Sequence, residues 1–130
     1  MRFLSIYKAP ETNVPPSADH MARMEKLIKD MTRAGTLLAT EGCLPSALGA
    51  RVRLSSGKVT VTDGPFVETK EVVGGFALLE ATSKEHAIEL ARTFLAVVGE
   101  GECEIRQIFT ASDAAASCNT HGQLTEQFSG

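Results

Sequence analysis

Between Thr62 and Phe76 the chain reads TDGPFVETKEVVGGF. Asp63-Gly64-Pro65 is turn chemistry, because an Asp carboxylate accepts backbone N–H bonds and Gly-Pro fixes the path of the chain. Glu68, Lys70 and Glu71 follow at once, and a connector does not need them. Asp63 therefore has two readings: a turn residue, as Asp-Gly frequently is, or a base at a strand end beside a cavity. Its partner in the second reading is His20, whose imidazole titrates near neutrality and suits acid–base work. A carboxylate next to that ring would orient it and raise its pKa. Asp63 and His20 are accordingly the candidate catalytic pair, although His20 in a first helical turn reads equally as a solvent-facing residue.

A second set of groups suits charge recognition. Glu104 and Arg106, two apart on a strand, share one face, while Cys103, Ile105 and Gln107 take the other. Arg51 and Arg53 share a face in the same way. Such groups form either a structural ion-pair network or an anion-binding wall, for which the planar guanidinium is suited. Arg106 is the expected charge anchor, with Glu104, Phe66, Glu68 and Glu71 as the other expected substrate contacts. The bland alternative for Glu68, Lys70 and Glu71 is a solvated loop. Gly74-Gly75 allows a bulge or a close backbone approach, to a ligand or to a partner subunit.

Other chemistries find no support. His20, His86 and His121 are dispersed, and Cys43, Cys103 and Cys118 form no C-x-x-C, so neither a metal site nor a disulfide framework is expected. Rossmann, P-loop and nucleophile-elbow patterns are missing, so no cofactor is expected. Lys and Arg number 13 against 16 Asp and Glu, for a net charge of −3, which argues against nucleic-acid binding. No apolar run approaches the roughly 20 residues of a membrane span. The N-terminus reaches Lys8 and Pro10 too soon for a signal-peptide core, so a cytoplasmic location is expected.

These groups must be positioned by the surrounding elements. Arg2 to Lys8 alternates and predicts a strand. Ser17 is a good N-cap, and Met21, Met24, Leu27, Ile28 and Met31 repeat at helical spacing until Gly35. Thr36 to Glu41 predicts a second strand. Ala50 to Ser55 and Lys58 to Thr62 alternate around Ser56-Gly57, a hairpin. Gly75 to Ala81 is more uniformly apolar and predicts a central strand. A second helix starts near Thr82 or Ser83, where Thr82 and Glu85 have capping-box spacing, and buries Ala87, Ile88, Ala91, Phe94 and Leu95. Cys103 to Phe109 predicts a last strand. Without the hairpin the order is β-α-β-β-α-β, the ferredoxin-like split βαβ arrangement of the α+β class. Two helices cover one sheet face, so a homodimer with sheets packed face to face is expected.

Asp63-Gly64-Pro65-Phe66 with Glu68, Lys70-Glu71 and Gly74-Gly75 resembles the DGPF branch of the YCII-related family. The resemblance extends to RAGTLLATEGCLP (Arg33 to Pro45), to the helix start from Ser83 and to CEIRQI (Cys103 to Ile108). It implies a domain over residues 1–109, with 110–130 as a tail that packs on the dimer partner or stays partly ordered, and a dimeric α+β barrel. HMARMEKL (His20 to Leu27) resembles the family helix that carries a His proposed to pair with an Asp. Two functions follow from it. One is a cofactor-free acid–base enzyme acting on a small polar or anionic molecule. The other, in a different class, is a non-catalytic regulator associated with an extracytoplasmic-function sigma factor.

Overall fold

The structure, a computed structural model, describes residues 1–12 and 14–113. Its elements are β1 (Arg2–Ala9), α1 (Ala18–Arg33), β2 (Leu37–Gly42), β3 (Ala50–Ser55), β4 (Lys58–Asp63), β5 (Val72–Glu80), α2 (Lys84–Val98) and β6 (Glu102–Gln107). Four strands form one antiparallel sheet in the order β2-β5-β1-β6, and β3 pairs with β4 as a separate hairpin. With the hairpin set aside this is the ferredoxin-like α+β arrangement. The uniformly apolar β5 lies inside the sheet, as a strand shielded on both edges should.

Local chemistry sets the helix ends. The Ser17 hydroxyl accepts from the His20 N–H at 3.1 Å, and Asp19 sits in the first turn of α1, where the helix dipole favours a negative charge. Gly35, at φ 79°, takes the chain out of the helix. For α2 the cap is Ser83, whose hydroxyl accepts from the His86 N–H at 3.1 Å. The Thr82–Glu85 spacing therefore places the start one residue early. Thr82 instead donates its N–H to His86 Nδ1 at 3.0 Å, so His86 finishes the helix start. In the hairpin, Ser56 and Gly57 both adopt positive φ (51° and 75°), the turn geometry that matches the twist of paired strands.

Side chains alternate across the sheet. Phe3, Ser5 and Tyr7 face the helices, opposite Leu79, Ala77 and Gly75 of β5. Phe3 is 2 % exposed and packs in one core with Leu37, Leu79, Ala81 and Ala87. Burying a side chain of that size stabilises the fold by roughly 1.5–3 kcal/mol. The opposite face carries Leu4, Ile6 and Leu78, only half-buried, and Phe76 at 39 % exposure. None of the described residues forms a layer over it.

Gly74 is the extra residue of a bulge, since Tyr7 pairs with Gly75 and Lys8 with Val73. The close approach that the two glycines allow is to this chain itself. A Cβ on Gly74 would meet the Tyr7 ring at 3.1 Å, and one on Gly75 would meet the Glu41 carbonyl at 2.7 Å. After β6, Thr110 and Asp113 exchange hydrogen bonds. The tail from 114 to 130, with Cys118 and His121, lies outside the described residues.

Candidate functional site

The loop after β4 is built on a short 3-10 turn, Ser46–Leu48. Gly64 lies directly against that turn: a Cβ there would stand 1.7 Å from the Ser46 carbonyl oxygen. The Gly64 N–H donates to the Gly49 carbonyl at 3.0 Å, the Gly64-Pro65 bond is cis, and the Phe66 N–H donates to Ser46 Oγ at 3.2 Å. Glu11 grips the same serine, accepting from its N–H at 2.6 Å and from its hydroxyl. Those two bonds, the hydroxyl's first, hold the Glu11 carboxyl below the ordinary glutamate range. Nothing local in the sequence links Glu11 to Ser46, so sequence reasoning missed this latch. The same serine accepts from the Phe66 N–H, so the latch fixes the backbone at Phe66.

Between this loop and the sheet lies a cleft of about 700 Å³, with Lys8, Cys43, Arg51, Phe66, Thr69 and Glu71 among its walls. The Arg51 guanidinium stacks over the Phe66 ring, 3.9 Å from its centroid, a cation–π contact. It also pairs with Glu68 and donates to Thr69 Oγ1 at 3.2 Å. A backbone bond to its own N–H and then the Arg51 guanidinium hold the Glu68 carboxyl below its usual range. Across the cleft, Lys8 Nζ donates to Glu104 at 2.9 Å, and Arg106 reaches the second oxygen of Glu104 at 3.3 Å. The Lys8 bond, ahead of the Arg106 bond, lowers the Glu104 pKa, and Glu104 in turn raises that of Lys8.

The five expected substrate contacts are thus brought into one neighbourhood. Phe66 and Glu71 line the cleft, Glu68 and Glu104 hold its two cations, and Arg106 sits at the outer end of the network. Sequence reasoning paired Glu104 with Arg106 but missed Lys8. The register of β1 against β6, which sets Lys8 opposite Glu102 and Ile6 opposite Glu104, places Lys8 diagonally beside that carboxylate. Arg51 does not join that network; it belongs to Glu68. An ammonium has three donor hydrogens and a guanidinium five. Among the described residues Lys8 uses one on a side chain, and Arg51 uses two.

The candidate catalytic pair is placed differently. His20 stands four residues before Met24 on the inward stripe of α1 that continues through Leu27 and Met31. It lines a second cavity, of about 780 Å³, between the helices and the sheet. Asp63 ends β4, opposite Ala50, in a hairpin outside the four-stranded sheet, and lines neither cavity. No hydrogen bond joins the two among the described residues. Helical phase turns His20 toward the helix-covered side of the sheet, whereas Asp63 caps the hairpin base. The helix-side cavity is mostly apolar, walled by methionines and Leu79, Leu90 and Phe94. Tyr7 borders it with its hydroxyl committed to the Glu100 carbonyl at 2.6 Å and its ring edge-on to Phe94. Burial first, then the charges of Cys103 and Glu71, raise the Tyr7 pKa. Glu25, Lys29 and Glu41 also border this cavity, whereas Lys8 and Arg51, each ion-paired with a carboxylate, belong to the cleft.

Comparison with known proteins gives a match at the level of family. Residues 1–112 match the family model described as the YCII-related domain. An uncharacterized protein of Rhizobium meliloti (strain 1021) is 35% identical over 75 residues, which take in 52% of this chain. The matched stretch spans 60% of the length of that curated relative. Among solved structures, CutA from Xylella fastidiosa superposes with a TM-score of 0.39 at 13% identity, covering 92% of this chain and 95% of that one.

Proposed function

The chain belongs to the YCII-related domain family, and from that premise we propose that it is a cytoplasmic homodimer of the DGPF branch that binds a small anionic organic molecule in the cleft beneath the Asp63–Phe66 loop. One observation carries the reading: Lys8 and Arg51 line a single cleft, each steadied by a carboxylate that does not line it. Their remaining N–H donors are available to an anion, and a planar guanidinium favours a carboxylate or phosphate group. The Phe66 ring supplies an apolar wall against which the Arg51 guanidinium is stacked, which fixes the orientation of its planar fork. Glu71 brings a carboxylate to the same space. It is the group placed to take a proton from the bound molecule, with the ammonium of Lys8 stabilising the charge that develops. The chemistry is cofactor-free acid–base work. Dimerisation through the bare sheet face would conceal Leu4, Ile6, Phe76 and Leu78.

Thermal-shift screening against small carboxylic acids and phosphate esters tests the reading, with calorimetry on each hit. A ligand at a hundred times its Kd adds about 2.7 kcal/mol to stability. The hit is expected to vanish in Arg51→Ala and Lys8→Ala and to survive in His20→Ala, which alters only the other cavity. A hit that survives both cleft substitutions, or is lost with His20, overturns the assignment of the site.

A further inference from the structure

Two helices cover the same face of the sheet, and they sit on it differently. Ala87 and Ala91 of α2 are buried, whereas none of the 16 residues of α1 is. The inward stripe of α1 is nevertheless regular: His20, Met24, Leu27 and Met31 recur at spacings of three and four, each only half-buried. Met31 reaches the core beside Leu37 and Leu79, and the rest of the stripe faces the cavity of about 780 Å³. Pockets for small organic molecules span about 300–1,000 Å³, so this space is of ligand size. The polar side chains around it are already engaged, with one exception. Tyr7 donates to the Glu100 carbonyl, Thr40 donates to the Phe76 carbonyl at 2.9 Å, and Ser5 and Cys103 bond each other. Glu25 and Lys29 neutralise each other at 3.2 Å on the exposed rim. Glu41 pairs with Phe76, so its carboxylate belongs to the opposite face of the sheet. That leaves the His20 imidazole, whose ring lines the cavity and makes no hydrogen bond among the described residues.

We propose that this cavity binds an uncharged aromatic molecule carrying a hydroxyl or carbonyl group, which His20 holds. Its mostly apolar walls disfavour a charge, because desolvating one costs more than they return. They favour rings. The thioethers of Met21, Met24 and Met31 line the α1 side, and the edge-on pair of Tyr7 and Phe94 lines the other. Sulfur and ring edges both make favourable contacts with an aromatic guest, and the flexible methionine chains let the wall close around it. The polar group of the guest has a fixed end to occupy. The chain reverses at Gly35, so Met31 lies beside Leu37 while His20 stands toward Gly42 at the far end of β2. Imidazole donates from one ring nitrogen and accepts at the other, so it serves a hydroxyl or a carbonyl equally. The site differs from the anion cleft in place and in chemistry, and either can fail while the other stands.

Methyl NMR on the full chain with isotope-labelled methionine tests the site. Of the four methionines, Met21, Met24 and Met31 line the cavity and Met1 does not. Titration with naphthol is expected to move the three cavity methyls by ring-current shifts and to leave Met1 in place. Naphthalene, which has the same rings and no hydroxyl, should move the same three. His20→Leu should weaken naphthol binding about 5-fold, the worth of one neutral hydrogen bond, and leave naphthalene unchanged. Met24→Glu, which sets a charge in the apolar wall, should weaken both probes at least about 10-fold, while Arg51→Ala changes neither. Methyls that ignore millimolar naphthol overturn the proposal, as they would if this chain or a second copy already filled the space. So do shifts at Met1 as large as the rest, binding indifferent to Met24→Glu, or binding lost in Arg51→Ala, which would put the probe in the cleft. An equal loss of both probes in His20→Leu overturns the hydrogen bond assigned to the imidazole.

Discussion

Gly64→Ala is the most direct challenge to the architecture of the candidate site. The new methyl would stand 1.7 Å from the Ser46 carbonyl oxygen and 2.6 Å from its carbon, where real Cβ contacts do not fall below 3.0 Å. Both obstacles are backbone atoms and cannot swing aside as a flexible side chain would. Relief requires the loop to lift by roughly an ångström or more, which breaks the Gly64–Gly49 and Phe66–Ser46 hydrogen bonds. At about 1 kcal/mol each these account for about 2 kcal/mol. Residual strain adds to that figure, and the lower entropy of the unfolded alanine chain offsets it by about 0.4–1 kcal/mol. The expected loss is about 2 kcal/mol, or a Tm lower by roughly 6–10 °C for a chain of this size. Urea titration and thermal melts measure it, with Gly42→Ala as the control. A Cβ on Gly42 finds its nearest neighbour at 3.9 Å, so that change should stay within about 0.5 kcal/mol. Equal stability of the two variants would refute the claim that the loop is latched on the Ser46 turn.

Two further outcomes follow from the charges and thiols. Glu11, Glu68 and Glu104 have folded pKa values below the ordinary 4.5. Their stabilisation is thus present above that value and is lost as pH falls through the folded values. Lys8 is raised above 10.5, so its contribution is complete below that value and is lost as pH rises through the folded one. Melts across pH should show a plateau between these limits, and Glu104→Gln should soften both shoulders; a variant profile identical to wild type would contradict the Lys8–Glu104–Arg106 network. Burial raises the Cys103 thiol against an opposing bond to Ser5, whereas Cys43 is exposed at the cleft. In a Cys118→Ser background, iodoacetamide followed by peptide mapping should therefore label Cys43 at least about ten times faster than Cys103, and equal rates would count against the placement of β6.

The sequence by itself determined the elements and their order, because the information for them is local. Two-residue alternation marks the strands, the Met24–Leu27–Met31 spacing marks α1, and Ser17, Gly35 and Ser56-Gly57 are chain punctuation whose physics does not depend on distant residues. The facing of Glu104 and Arg106 was legible for the same reason. The tertiary structure decided which of the chemical groups meet. Lys8, Arg51, Phe66 and Glu71 come from β1, β3, the loop after β4 and the residue just before β5, and only strand pairing and the Ser46 turn bring them to one cleft, with Glu104 of β6 holding Lys8 from outside it. Asp63 and His20 looked like partners by chemical type. Helical phase and the hairpin's separation from the sheet send them elsewhere, since titratable groups react according to distance and not according to kind.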